Sequence, residues 1–397
     1  MNSSDYLYLD YAATTPMDPR VIDVIEKHFR ETYGNPSSLH SAGQKAAKLL
    51  YKSRAKIASI INAERKEIIF TSSGTEADNL ALQGVAYKNR KEGNHIITSS
   101  IEHHAVENPC KELEKNGFKV TYLSVDEFGI VDLEELKEAI IPETILISIM
   151  FANNEIGTIE PIGDIGEIAN ENDILFHTDA VQAFGKIPID VNRLNIDLLS
   201  VSAHKIYGPK GVGMLYMRNQ GNHENGEKFI QPILFGGGHE YDMRPSTENA
   251  PGIAGFAKAA ELCAKEMPEE IKRQEYLREK IIKKALETID DSFLNGHPTQ
   301  RLPNNVNLTI KYVDGESILL DLDSERIAAS TGSACSSASS EPSHVLRAIG
   351  LSNRDASGSL RVSIGRFTTE NEIDYFLEKL PPIIERLRRI SPFKSNK

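Results

Sequence analysis

The chain has 397 residues, 40% of them hydrophobic and 26% charged, an ordinary globular composition that excludes disorder as the main state. Its net charge of −12, without a dense basic run, argues against a nucleic-acid binder. Three widely spaced cysteines, Cys110, Cys263 and Cys335, exclude a disulfide framework and point to a reducing, cytoplasmic setting. No apolar run approaches a membrane span, and the N-terminal residues lack the regions of a signal peptide. The length predicts two or three domains.

In chain order, short aliphatic runs predict strands at Glu67–Thr71, His95–Thr98, Thr144–Phe151, Ile174–His177, Ile196–Val201 and Val212–Met217. None alternates with polar residues, which implies strands covered on both faces. Helical stretches fall between them at Thr75–Lys91, His104–Asn116, Leu133–Ile140 and Ile162–Glu171. This βαβ rhythm predicts an α/β domain with a mostly parallel sheet. The pattern changes near residue 255. A long helix is predicted over Ala254–Ile289, then a strand at Asn305–Ile310, a helix at Glu316–Leu322, a strand at Leu360–Ile364 and a helix over Thr369–Arg389, which together read as a smaller α+β domain. Leu7–Asp10 belongs to that domain or to the seam, and 219–228 reads as a surface loop. The basic run Arg386–Arg389 suits a helix end.

Three stretches carry chemistry together. In Phe70–Glu76 a strand ends in small hydroxyl residues and a glycine, and a helix begins, which suits either a phosphate or a plain serine cap. Asp179 lies just past a buried strand, at the edge where open α/β sheets bind ligands. Lys205 follows a later strand and precedes a Gly/Pro-rich turn, as a Schiff-base lysine would. A phosphate cradle, an acid and a lysine in this order suit pyridoxal 5′-phosphate, whose aldehyde, ring nitrogen and phosphate need such groups. His103, beyond another strand, would share that edge and could stack on the ring. A metal-hydrolase reading of His103, His177 and Asp179 lacks the i, i+4 ligand spacing of a helix-borne site.

The motifs LDYAATTP (9–16), YGNPSSLH (33–40), FTSSGTEADN (70–79), EHHAV (102–106), ANNEIGTI (152–159), HTDAVQAFGK (177–186), SAHKIYGPKGVG (202–213), GGGHE (236–240), STGSACSSAS (330–339) and RVSIGRFT (361–368) run nearly end to end. On these the sequence resembles the class V aminotransferases, fold-type I pyridoxal-phosphate enzymes, and within them the cysteine desulfurases of the nitrogen-fixation and iron–sulfur-cluster type. The resemblance implies an α/β fold of type I, with a large cofactor domain (15–255) holding a mostly parallel mixed sheet. A small α+β domain (1–14 with 256–397) would carry a catalytic cysteine loop spanning about 328–342.

It further implies that Lys205 is the Schiff-base lysine, that Asp179 pairs with the ring nitrogen, that Gln182 meets the ring hydroxyl and that His103 stacks on the ring. Gly74, Thr75, Ser202 and His204 would hold the phosphate, with Thr247 reaching in from a partner subunit of a homodimer. Asn154 would lie beside cofactor and substrate, and Arg361 would clamp the substrate carboxylate. Cys335, in a Gly/Ser/Ala stretch poor for core packing, would take sulfur from L-cysteine as a persulfide. An iron–sulfur scaffold or another protein would accept that sulfur. No resident metal is expected, although Cys335 could ligate a cluster transiently. Cys110 and Cys263 read as packing residues. The alternative is a selenocysteine lyase or another class V enzyme.

Overall fold

The computed structural model describes residues 6–223, 226–331 and 342–392. In chain order the elements are β1 (Leu7–Tyr8), α1 (Pro19–Glu31), α2 (Ser41–Ile60), β2 (Ile68–Thr71), α3 (Gly74–Lys88), β3 (His95–Ser99), α4 (His104–Lys115), β4 (Lys119–Leu123), α5 (Leu133–Ala139), β5 (Thr144–Ser148), α6 (Ile162–Glu171), β6 (Leu175–Asp179), β7 (Leu198–Ser202) and β8 (Gly213–Met217). Then follow α7 (Ala250–Thr288), β9 (Ser292–Leu294), β10 (Asn305–Ile310), α8 (Gly315–Ser324), β11 (Ile327–Ala328), α9 (His344–Ala348), α10 (Asn353–Ser357), β12 (Ser359–Ser363) and α11 (Glu370–Ile390).

A seven-stranded sheet runs in the order β2-β8-β7-β6-β5-β3-β4. Only β8 opposes the rest, pairing antiparallel with β2 and β7. This is the mostly parallel α/β sheet that the aliphatic runs predict. β3, β5, β7 and β8 are buried along their whole length, as strands covered by helices on both faces must be. The C-terminal ends of β2, β3, β5, β6 and β7 therefore share one edge, and ligands of open α/β sheets bind at that edge.

A second core surrounds the antiparallel sheet β12-β10-β9. Leu7 and Leu9 pack into it with Phe376, Ile384 and Leu387 of α11, and β1 pairs with β11. The 39-residue α7 serves both cores: Phe256 and Ala260 face the first, and Leu277 and Ile281 the second. α11 opens on a reciprocal capping box between Thr369 and Glu372 and ends with Arg388 and Arg389 in its last turn, which suits the helix dipole. Among the described residues, no helix is long and apolar enough to cross a membrane.

Several elements differ from the sequence reading. α1 and α2 are absent from it. α2 buries Gly43, Ala46, Ser53 and Ala58 along with Leu50 and Ile57, so small residues dilute the apolar period. β4 is a half-exposed edge strand whose apolar residues are interrupted by Lys119 and Thr121 rather than forming a continuous run. The Thr144–Phe151 run ends as a strand at Ser148, yet Ile149 and Phe151 still donate to the carbonyls of His177 and Asp179.

One buried ion pair fixes the strand that leads into the candidate site. Arg54 of α2 forks onto Glu240 with two contacts of 2.6 Å, and Glu240 also accepts from the Phe70 amide of β2 at 2.8 Å. Both side chains are sealed from water, at 8% and 1% exposure. Truncating Arg54 would strand a buried carboxylate. Arg54→Ala should therefore lower unfolding free energy by about 3–5 kcal/mol, read as a reduced urea midpoint. A change below 1 kcal/mol would show that the pair is not structural.

Candidate active site

Five of the six parallel strands, all but the edge strand β4, deliver functional groups to the common edge. After β2, Ser73 caps α3 by accepting from the Glu76 amide at 3.1 Å, which is the serine cap expected of this turn. The first amides of α3 have no partner within the helix and face the edge with the positive end of its dipole. Only glycine fits at position 74, because a Cβ there would stand 2.6 Å from Val181 Cγ2.

After β3, His103 is the cap of α4, its Nδ1 accepting from the Ala105 amide at 3.1 Å. Burial, and then the charge of Lys205, lowers its pKa to about 4. The ring is thus neutral near pH 7, and with Nδ1 accepting, the proton sits on Nε2. After β5 comes the loop carrying Met150, Ala152 and Asn154. At the end of β6, Asp179 is 6% exposed and accepts from the Val181 amide at 2.9 Å. Burial pushes its carboxyl up to about 6, against the Val181 hydrogen bond and the Lys205 charge.

After β7, Ser202 and His204 lead to Lys205, whose Nζ donates to the carbonyls of Ala12 and Ala13 at 2.6 and 2.7 Å. Gln182 donates to the same Ala12 carbonyl at 2.9 Å, and Lys186 holds its amide oxygen at 2.7 Å. His204 contacts Thr14 at 3.1 Å; burial, and then Lys205, lowers its pKa to about 4. The second core contributes Arg361 of β12, whose guanidinium meets Asp10 at 2.8 Å and the Asn154 carbonyl at 3.1 Å.

These groups line one cavity of about 250 Å³. Ten of the residues singled out from the sequence border it: Gly74, Thr75, His103, Asn154, Asp179, Gln182, Ser202, His204, Lys205 and Arg361. Thr247 does not; it is exposed and lines a neighbouring cavity of about 230 Å³ with Ser72 and Arg244. Cys335 lies outside the described residues. Cys110 and Cys263 are buried. Burial raises the pKa of both thiols, that of Cys263 to about 11, as packing residues require.

Two buried acids escaped the sequence reading. Asp78 of α3 borders the cavity; its Oδ1 has no hydrogen-bond partner, and burial followed by the Asp179 charge raises its pKa well above the ordinary range. Glu102 accepts from Ser99 at 2.7 Å and from the Met150 amide at 2.9 Å. Asp78 sits within the FTSSGTEADN motif and Glu102 within EHHAV, but only the three-dimensional burial marks them.

The donor set suits a ligand with an anionic end at α3, a ring nitrogen at Asp179 and a carbonyl at Lys205. The class V aminotransferase family matches residues 7–376. The chain is 54% identical to the cysteine desulfurase IscS of Clostridium botulinum strain Hall, over 97% of this chain and 96% of that protein. It is 53% identical to the IscS of Methanosarcina thermophila, over 97% and 94%. Among solved structures it resembles a NifS-like protein (38% identity, TM-score 0.89, 96% of this chain and 100% of that one). It also resembles SspA in complex with cysteine (38% identity, TM-score 0.79, 91% and 100%). The chain belongs to the class V aminotransferase family, and its fold is that of the fold-type I pyridoxal-phosphate enzymes. Pyridoxal 5′-phosphate is its cofactor.

Glu102 gives a pH signature. Burial raises its pKa from 4.5 to about 8, against the Ser99 and Met150 hydrogen bonds. The folded chain thus holds a proton that the unfolded chain releases above pH 4.5, so this residue costs stability progressively as pH rises toward 8. Glu102→Gln mimics the protonated acid. Its stability relative to the wild type should climb between pH 4.5 and 8 and stay flat outside that window, as read from denaturation at stepped pH; a difference independent of pH would refute the assignment.

Proposed function

We propose that this protein is a pyridoxal-phosphate-dependent cysteine desulfurase that converts L-cysteine to L-alanine and leaves the sulfur on Cys335 as a persulfide for an acceptor protein. The observation that carries the reading is the meeting of Lys205, Asp179, His103 and Arg361 around one cavity. They do so in a chain 54% identical to a cysteine desulfurase over nearly its whole length.

The bound cofactor supplies an aldehyde for the substrate amine and a ring that accepts electrons from Cα. The Gly74 and Thr75 amides, Ser202 and His204, which line the cavity, would hold its phosphate. Asp179, whose carboxyl the Val181 amide and the Lys205 charge pull back against burial, would hold the ring nitrogen protonated, and Gln182 would meet the ring hydroxyl. Arg361 fixes the substrate carboxylate as a planar fork. Lys205, once its amine is free, takes the Cα proton and returns it. His103, neutral with its proton on Nε2, would pack against the ring and could donate a proton as the C–S bond breaks. The Cys335 thiolate attacks the substrate sulfur: one S–S bond forms, the C–S bond breaks, and the carbon takes up the proton that completes alanine. The net change is cysteine plus thiol to alanine plus persulfide, which balances without an external oxidant.

Residues 15–255 form the cofactor domain in this reading, and 1–14 with 256–397 the domain that brings Arg361 and Cys335. The working unit is a homodimer in which Thr247 completes the phosphate site of the neighbouring chain. The acceptor is an iron–sulfur scaffold or another sulfur carrier.

Two variants separate the roles. Cys335→Ala should keep the cofactor colour and lose transfer of labelled sulfur from L-cysteine. Lys205→Ala should lose the borohydride-reducible link to the cofactor, and alanine release should fall by on the order of 10²–10⁴-fold. Undiminished sulfur transfer by the first variant, or turnover of selenocysteine alone by the wild type, would overturn the assignment.

A further inference from the structure

Beside the cavity mouth lie two histidines and a glutamate that the reaction above does not use. His104 is the first residue of α4, immediately after His103, and Glu107 follows it by three positions, so both lie on one face of the helix. His344 opens α9. One ring nitrogen from each histidine and one Glu107 oxygen lie within 4.8 Å of one another, and all three residues are partly buried. His104 Nδ1 and Glu107 Oε2 are 2.8 Å apart, and the two imidazole rings sit with centroids at 5.1 Å. We propose that His104, Glu107 and His344 form a binding site for a divalent transition-metal ion of the zinc type, distinct from the cofactor site.

Two imidazoles and one carboxylate are the donors that borderline ions such as Zn²⁺ select, whereas Mg²⁺ and Ca²⁺ favour all-oxygen shells. Three protein ligands also leave a fourth position open, as in sites where water or an exogenous donor binds zinc. The surroundings orient the ligands. His344 Nε2 faces the Glu102 carbonyl at 2.9 Å; a proton donated there leaves a lone pair on Nδ1, the pattern by which a backbone carbonyl fixes the tautomer of a metal-bound histidine. Lys111 holds the other oxygen of Glu107.

The location gives the ion a consequence. α4 starts at the residue after His103, and α9 belongs to a segment more than 200 positions further on. An ion held by both would tie α9 to the helix that presents His103.

The test uses holoenzyme carrying Cys335→Ala, so that a reactive thiol does not compete, and omits cysteine, which chelates zinc. Calorimetric titration with Zn²⁺ should show one saturable site per chain. His104→Ala and His344→Ala should each weaken it by on the order of 100-fold, and Glu107→Gln should weaken it without disturbing the cofactor absorbance. Histidine-selective ¹⁵N NMR on the protein without these three substitutions provides a readout that needs no folding control. Co²⁺ should broaden the His104 and His344 signals before that of the remote His28. Absence of a saturable site, unchanged affinity in the His104→Ala/His344→Ala double variant, or broadening centred on other histidines would each overturn the proposal. Because the readout is metal binding in the absence of substrate, it stands or falls independently of desulfurase activity.

Discussion

The structure turns on keeping one carboxylate ionised at a sheet edge that is nearly dry. Asp179 is 6% exposed, and burial alone moves its carboxyl toward neutrality; the Val181 amide and the Lys205 charge pull it back. The neighbouring acids yield to it. Asp78 is pushed up by burial and then by the negative charge of Asp179, and Glu102 is raised to about 8 by burial. Like charges this close, in so little water, do not ionise together. The neutral partners around them, such as His177, whose pKa burial lowers to about 3, complete a floor in which Asp179 is the acid that faces the Lys205 cation.

The sheet makes that arrangement possible. Six strands pointing the same way bring the starts of α3 and α4 and the ends of β6 and β7 to one edge, although residues 74 and 205 are far apart in sequence. The single reversed strand, β8, closes the arrangement. Its first residue, Gly213, packs so tightly that a Cβ would fall 2.6 Å from the Ser73 backbone, so the strand after the lysine turn braces the β2–α3 turn directly. The Arg54–Glu240 pair braces β2 from the other side through the Phe70 amide.

Much of this was readable from the sequence because buried parallel strands are written as aliphatic runs and the site residues follow them at strand ends. The six runs named from sequence match β2, β3, β5, β6, β7 and β8 to within a few residues. What stayed hidden was hidden for identifiable reasons. α2 packs with alanines, glycines and serines, which carry little periodic signal. β4 lies at an exposed edge. Asp78 and Glu102 look like ordinary helix and turn acids until burial separates them from solvent. The His104–His344 approach joins residues 240 positions apart, a distance that no local pattern encodes.

The segment 10–13 shows how the two cores answer to each other. Asp10 meets Arg361 of the second core at 2.8 Å, while the carbonyls of Ala12 and Ala13 hold Lys205 and that of Ala12 also holds Gln182. Ser363, at the end of β12, grips the same segment through the Ala12 amide at 2.8 Å. A carboxylate that engages Arg361 would therefore compete with Asp10, and a covalent link at Lys205 Nζ would vacate carbonyls two and three residues further along. In the proposed reaction, charge recognition at one end of the substrate and proton handling at the other would thus be anchored on four consecutive residues. Those residues are locked to β12 by a side-chain hydrogen bond rather than left to loop entropy. A site that must bind a small zwitterion can be built from two separate cores only if their relative position is fixed to within a hydrogen bond, and this short stretch of backbone supplies that constraint.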